Sequence, residues 1–206
     1  MTTQQVHISH HSGKLAGIDS ISTSTLNNSY CSKMRKTESI CKHCYAANLE
    51  SFRPNLSVAL VRNDKLLSTE LLTSRQLPII NSMIFRFDSF GELINQLHFI
   101  NLIAIANHNP NTIFALWTKR KAIVSKVLGS NVLGSKDTLI DKPKNLILVY
   151  SNPVIDKPLL KIPKHFDKTF NNVELQTLGV NCNQKCIDCR LCYSYNDTHI
   201  IIEKVK

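Results

Sequence analysis

Apolar and polar positions alternate in blocks along this chain, and the period of alternation changes several times. Ile18-Asp19-Ser20-Ile21-Ser22-Thr23-Ser24 alternates with a period of two and carries β-branched residues, which predicts a first short strand. Between Asn55 and Ser74 the apolar residues Leu56, Leu60, Leu67 and Leu71 fall on one helical face, with Pro54 placed to start the helix. Ser82 to Asp88 then reads as a strand, Leu93 to His108 as a helix stopped by Asn109-Pro110-Asn111, and Thr112 to Trp117 as a strand. A helix from Lys121 to Leu128 and a strand from Leu146 to Tyr150 follow. Gly129 to Pro143 reads as a polar turn region. The proline-punctuated stretch after Pro153 reads as a wandering loop, and Thr198 to Val205 as a last strand or a short helix.

Strand, helix, strand, helix, strand at this spacing predicts βαβ units around a parallel sheet. The expected fold is a single α/β domain over residues 18–206, mostly parallel and like a partial βα barrel, behind a flexible arm of residues 1–17. In such folds the polar residues just past the strand C-termini line the site. Those residues are Asp88, Ser89, Glu92, Thr118, Lys119, Ser151 and Asn152. Asp88, Glu92, Lys119 and Asn152 are the candidates for orienting or reacting with a substrate, and Ser89, Thr118 and Ser151 for holding a cofactor. Asp88 and Glu92 suit an acid/base pair or a cation site; a helix cap at Asp88 or Ser89 with Glu92 in the first turn reads equally from the residues. Lys119 and Arg120 suit a phosphate or carboxylate, or simply begin a solvated helix.

Composition narrows the classes. The chain is 43% hydrophobic and 19% charged over 206 residues, which describes one globular core. No apolar run approaches the ~20 residues of a membrane span, and the polar, His-containing start shows no secretory h-region. A cytoplasmic setting is therefore expected, and with it reduced thiols. The formal net charge of +10 points to an anionic partner, nucleic acid first, or to a basic solvated surface. No GxGxxG, Walker-type loop, HExxH or GxSxG occurs, so nucleotide-fold and serine-hydrolase readings have no footing.

The chemistry concentrates in the seven cysteines. Cys31, Cys41 and Cys44 lie near the start; Cys182, Cys186, Cys189 and Cys192 crowd together near the end. Cys186, Cys189 and Cys192 repeat every three residues, so their CxxC pairs overlap at Cys189 instead of forming separate zinc knuckles. Overlapping CxxC spacing with one more Cys is the pattern of [4Fe–4S] ligation. Zinc, and thiols without a ligand, remain alternatives. Three cysteines on a [4Fe–4S] cluster leave one iron for an outside ligand, so Cys31, Cys41 and Cys44 suit a reactive cluster and the other four a closed one. One shared site clasping the chain ends is a further reading, as is a non-catalytic, zinc- or cluster-stabilised module that binds nucleic acid.

Four pieces together resemble the phage "gene product 88" family. These are Cys31 with Cys41-Lys42-His43-Cys44-Tyr45-Ala46, Phe87-Asp88-Ser89-Phe90-Gly91, Phe114-Ala115-Leu116-Trp117-Thr118-Lys119, and Cys186-x2-Cys189-Arg190-Leu191-Cys192-Tyr193. The resemblance runs from Ile18 to Tyr193 and implies a phage or prophage origin, hence the cytoplasm of a bacterial host. A second likeness is to radical S-adenosylmethionine (SAM) enzymes, which pair a partial βα barrel with three cysteines after the first strand. Cys31, Cys41 and Cys44 stand in that place, with a nine-residue first gap where that pattern has three. This likeness implies a [4Fe–4S] cluster and SAM.

Overall fold

A computed structural model describes residues 5–129, 140–175 and 179–205. Seven strands form one sheet in sequence order: β1 (Ile8–Ser9), β2 (Asp19–Ile21), β3 (Ile84–Phe87), β4 (Ile113–Thr118), β5 (Leu146–Ile155), β6 (Lys168–Val173) and β7 (Ile200–Lys204). β1 is antiparallel to β2, and every later pairing is parallel. Six helices accompany them: α1 (Ser29–Met34), α2 (Tyr45–Phe52), α3 (Pro54–Ser68), α4 (Gln96–His108), α5 (Lys121–Gly129) and α6 (Cys186–Cys189).

Alternation along the strands separates two faces. Phe85, Phe87, Phe114, Leu116, Leu146 and Leu148 point to one side, where Leu67 of α3, Phe99 and Leu102 of α4 and Val124 of α5 complete the main core. Ile84, Ala115, Trp117, Ile147, Val149 and Ile201 point to the other side. Among the described residues no large helix covers that second face. The segment carrying α6 does, with Cys182, Cys192 and Tyr193 buried against it. Sequential parallel strands with helices on one face form a one-sided α/β wall. The wall stays open among the described residues, because no pairing joins β1 to β7.

Two expectations change. Part of the arm is ordered in the sheet, since Ile8 and Ser9 pair with Ile21 and Ser20, and Asn63 bonds both backbone groups of His7. Lys168–Val173, placed in a wandering loop by the sequence, is a strand between β5 and β7. Its polar residues hide the pattern: Lys168 and Asn171 are buried, with Lys168 Nζ held by Asn196 Oδ1 at 2.9 Å and the Thr198 carbonyl at 2.7 Å. The tail resolves as strand β7. Most of the polar turn region, and residues 1–4 of the arm, lie outside the described residues.

Candidate metal centres

The first three cysteines each sit at the start of a helical turn. Asn28 caps α1, its Oδ1 accepting from the N–H groups of Tyr30 (3.0 Å) and Cys31 (3.3 Å). Ser39 caps the 3-10 turn Ile40–His43 and accepts from the Cys41 N–H at 3.3 Å. Cys44 is the cap position of α2. Caps satisfy the free N–H groups of a first turn, so these local bonds fix where each thiol begins.

Glu92 joins this segment to the strand ends. Its carbonyl accepts from Asn28 Nδ2 at 2.8 Å, and its carboxylate accepts from the Thr118 hydroxyl, the Lys119 N–H (2.9 Å) and the Leu93 N–H (2.9 Å). The half-buried Lys119 ammonium faces Cys41, Glu92, Cys31 and Cys44; their charge raises its pKa against the opposing pull of burial. Burial, then the Glu92 carboxylate, pushes the Cys31 thiol far above its ordinary value, while Lys119 pulls it down. Cys41 is raised by burial too, again opposed by Lys119. Free of metal, these thiols are protonated at neutral pH.

The last four cysteines lie in one short segment packed on the second face of the sheet. α6 is a single turn ending in left-handed Arg190 (φ 52°), and the 3-10 turn Leu191–Tyr193 follows directly. Cys182 and Cys192 are only 8% and 7% exposed. Burial raises the pKa of Cys182, Cys186 and Cys192, and the thiols raise one another's further. Three cations meet this segment. Lys14 Nζ lies 3.2 Å from Cys182 Sγ and 3.3 Å from its carbonyl, Arg86 opposes the rise at Cys186 and Cys192, and Cys192 acts on Lys168.

The strongest charge neighbours of Cys31 and Cys41 are Glu92, Lys119 and the other thiols of that group. Those of Cys182, Cys186 and Cys192 are their own group with Lys14, Arg86 and Glu203. The seven thiols thus separate into three and four. What ties the chain ends together is Lys14, which bonds both Glu203 of β7 and Cys182. Among the described residues no three His, Cys, Asp or Glu side chains surround a single metal-ion position. Zinc at about 2.3 Å from each sulfur demands such closeness; a cluster of several irons and sulfides holds its thiolates farther apart.

The remaining candidates divide. Asp88, at the end of β3, is left-handed (φ 51°) and buried; Thr23 donates to Oδ1 at 3.2 Å while Oδ2 has no partner. Burial first, then Glu92, lifts its pKa well above the ordinary carboxyl range. Neither Asp88 nor Ser89 caps a helix. α4 starts later, at Gln96, and Asn95 caps it through the His98 N–H at 2.9 Å. Ser89 belongs to a hydroxyl network with Ser20 and Ser22, each at 2.8 Å, and with His11 Nε2 at 3.1 Å. Thr118 serves Glu92 and the Arg120 N–H. Ser151 is buried opposite Phe170 of β6. Asn152 supports the irregular β5–β6 pairing, its amide spanning the Lys157 carbonyl (2.8 Å) and Asn171 Oδ1 (3.0 Å). The structure groups Glu92 and Lys119 with the first thiols and uses Asn152 within the sheet.

Sequence reasoning missed Arg86, Lys14 and the Ser20–Ser22–His11 network. Arg86 carried a signal: it stands between Phe85 and Phe87, on the face that alternation assigns to the interior. A cavity of about 470 Å³, lined by Phe166, Lys168, Tyr195 and His199 among others, lies where β6 and β7 begin, away from the first thiol group. No helix among the described residues is long and apolar enough to cross a membrane.

Fold and site together define an α/β protein with a sequentially ordered, mostly parallel sheet and two cysteine groups on separate parts of it. Comparison with protein-family models, with curated proteins and with solved structures finds no match to this chain.

Proposed function

We propose that this chain is a phage-type iron–sulfur protein with two centres, and a radical-SAM-like enzyme acting at the first. The observation that carries the reading is the partition of the thiols into a group of three and a group of four, each set against buried or half-buried cations. Cys31, Cys41 and Cys44 would hold a [4Fe–4S] cluster, and Cys182, Cys186, Cys189 and Cys192 a closed one. The donor chemistry fits: all ligands are thiols, and Lys119, Arg86 and Lys14 offset the negative charge that thiolates bring into an apolar setting. A cluster held by three cysteines supplies one iron for an outside ligand, which the radical-SAM likeness implies is SAM.

The chain's own residues would then do the following. Lys119 supplies positive charge beside the first group, and Glu92 fixes the loop from which it projects. Asp88, whose carboxyl pKa burial raises, would serve as a proton donor at the end of β3. Tyr45 is 58% exposed directly after Cys44 and bonds the Ser89 carbonyl at 3.1 Å, placing an aromatic ring at this end of the sheet.

Anaerobic purification followed by iron and acid-labile sulfide analysis tests the reading. It expects a brown protein whose iron and sulfide are present in equal amounts. A colourless protein that holds zinc instead would favour a non-catalytic binding module. One observation favours an anionic partner in either case: Lys33, Lys36, Lys42 and His43 are exposed around the first cysteine segment, where Glu38 is paired with Lys42 at 2.7 Å. Nucleic-acid binding there must weaken steeply as salt rises.

A further inference from the structure

Arg86 is an interior-facing arginine on a central strand, and none of the ion pairs among the described residues includes it. Its guanidinium lies 4.0 Å from the centre of the Trp117 ring, and its Nε is enclosed without a hydrogen-bond partner. Trp117 leans on Tyr193 at 5.5 Å, and both share one apolar cluster with Cys182 and Cys192. Tyr193 is 2% exposed, its hydroxyl stands next to the Arg86 guanidinium, and it donates to no acceptor. Two enclosed donors therefore stand at the cluster that holds Cys182 and Cys192, with Cys186 packed against it. An enclosed donor left unmatched costs about 1–3 kcal/mol, and an unmatched charge costs more. Nearby, Lys14 Nζ already contacts Cys182 Sγ at 3.2 Å.

We propose that Arg86 and Lys14 are the counter-charges and sulfur-directed donors of a metal centre held by Cys182, Cys186, Cys189 and Cys192. This rests on the reading that these four cysteines hold an iron–sulfur cluster. Four thiolates around such a cluster leave a net negative charge; the Trp117 face and the Tyr193 ring exclude the water that would otherwise screen it. Arg86 and Lys14 are positioning residues here, acting through the sulfurs. Lys14 adds a structural link. Through Glu203 and Cys182 it couples the N-terminal segment and the last strand to the loaded state of the centre.

The test compares wild type with Cys189→Ala, Cys44→Ala, Arg86→Met, Arg86→Lys and Lys14→Met, each reconstituted with iron and sulfide. Three quantities are read: iron per chain, the rate of iron loss to a chelator, and the midpoint potential. Arg86→Met should release the Cys189-dependent iron roughly tenfold faster or more, with the Cys44-dependent iron unchanged. Whatever remains should have a more negative potential, because a lost cation disfavours the added electron. Arg86→Lys should restore most of the retention. Lys14→Met, at the edge of the segment, should give a smaller change in the same direction and guards against misfolding of the core variant. Unchanged iron, lability and potential in both Arg86→Met and Lys14→Met would overturn the inference alone. If Cys189→Ala costs no iron, the underlying centre fails and the inference with it.

Discussion

Asp88 shows how one residue joins strain, burial and chemistry. A left-handed, enclosed carboxyl with a free oxygen is stable only when protonated, and ionising it would strand a charge. Its raised pKa makes it a net cost to stability as pH rises above the unfolded carboxyl value of 3.8. Asp88→Asn keeps the shape, tolerates the left-handed backbone and removes that cost, so thermal melts at pH 7 should move upward. A downward shift would show that the ionised carboxylate is needed. His98 carries the opposite sign. Burial lowers its pKa from 6.5 to about 3, so the unfolded chain binds a proton the folded one refuses. Stability is then full above 6.5 and declines as pH falls toward 3, and His98→Leu should flatten that decline in denaturant titrations across the window. His98 is completely buried because α4 packs between α3 and α5. Gly91 (φ 78°) admits no side chain, since a Cβ would meet Thr23 Oγ1 at 2.3 Å and the Thr23 carbonyl oxygen at 2.5 Å. Gly91→Ala should cost about 1–3 kcal/mol of unfolding free energy.

Among the elements, those with strong apolar rhythm were legible. β3, α4, β4, α5 and β5 lie where alternation and the 3.6-residue period placed them, give or take their ends. The cysteine segments were legible as chemistry and not as structure. α1, α2 and α6 are short, and their starts are set by caps and by contacts with strand ends, which a periodicity argument does not register. β6 was hidden because a buried lysine and buried asparagines broke the expected contrast. The rule that parallel strands present their C-termini to the site picked out Glu92 and Lys119 but not their place beside the first thiols, and Arg86 fell outside it because it sits mid-strand. Asn28 tests how elements position the chemistry. Asn28→Ala removes the α1 cap and the bond to Glu92, costing about 1 kcal/mol or more. It should also weaken metal retention at Cys31 while leaving the Cys189-dependent iron intact, as chelator challenge would show.

For the molecule as a whole, the sheet is an open wall with two unlike sides. One side is an ordinary helix-covered core. The other is closed by a cysteine segment in which burial raises the pKa of Cys182, Cys186 and Cys192, so that a metal bound there as proposed would have to displace their protons. Metal uptake should therefore release protons and tighten as pH rises, which a weakly buffered titration with ferrous iron and sulfide would register; uptake without proton release would mean that the thiols are not the ligands. Loading should also protect β7 and the Gly13–Asp19 stretch from hydrogen exchange together, because Lys14 links both to Cys182.

The most direct check on the central claim is iron and sulfide counted per chain in wild type, Cys44→Ala, Cys189→Ala and the double variant. Two independent centres require that each single variant lose a different part of the wild-type content and that the double variant lose the sum. Identical losses in the two single variants would mean one shared site, and a wild-type protein that takes up neither iron nor sulfide would contradict the account outright.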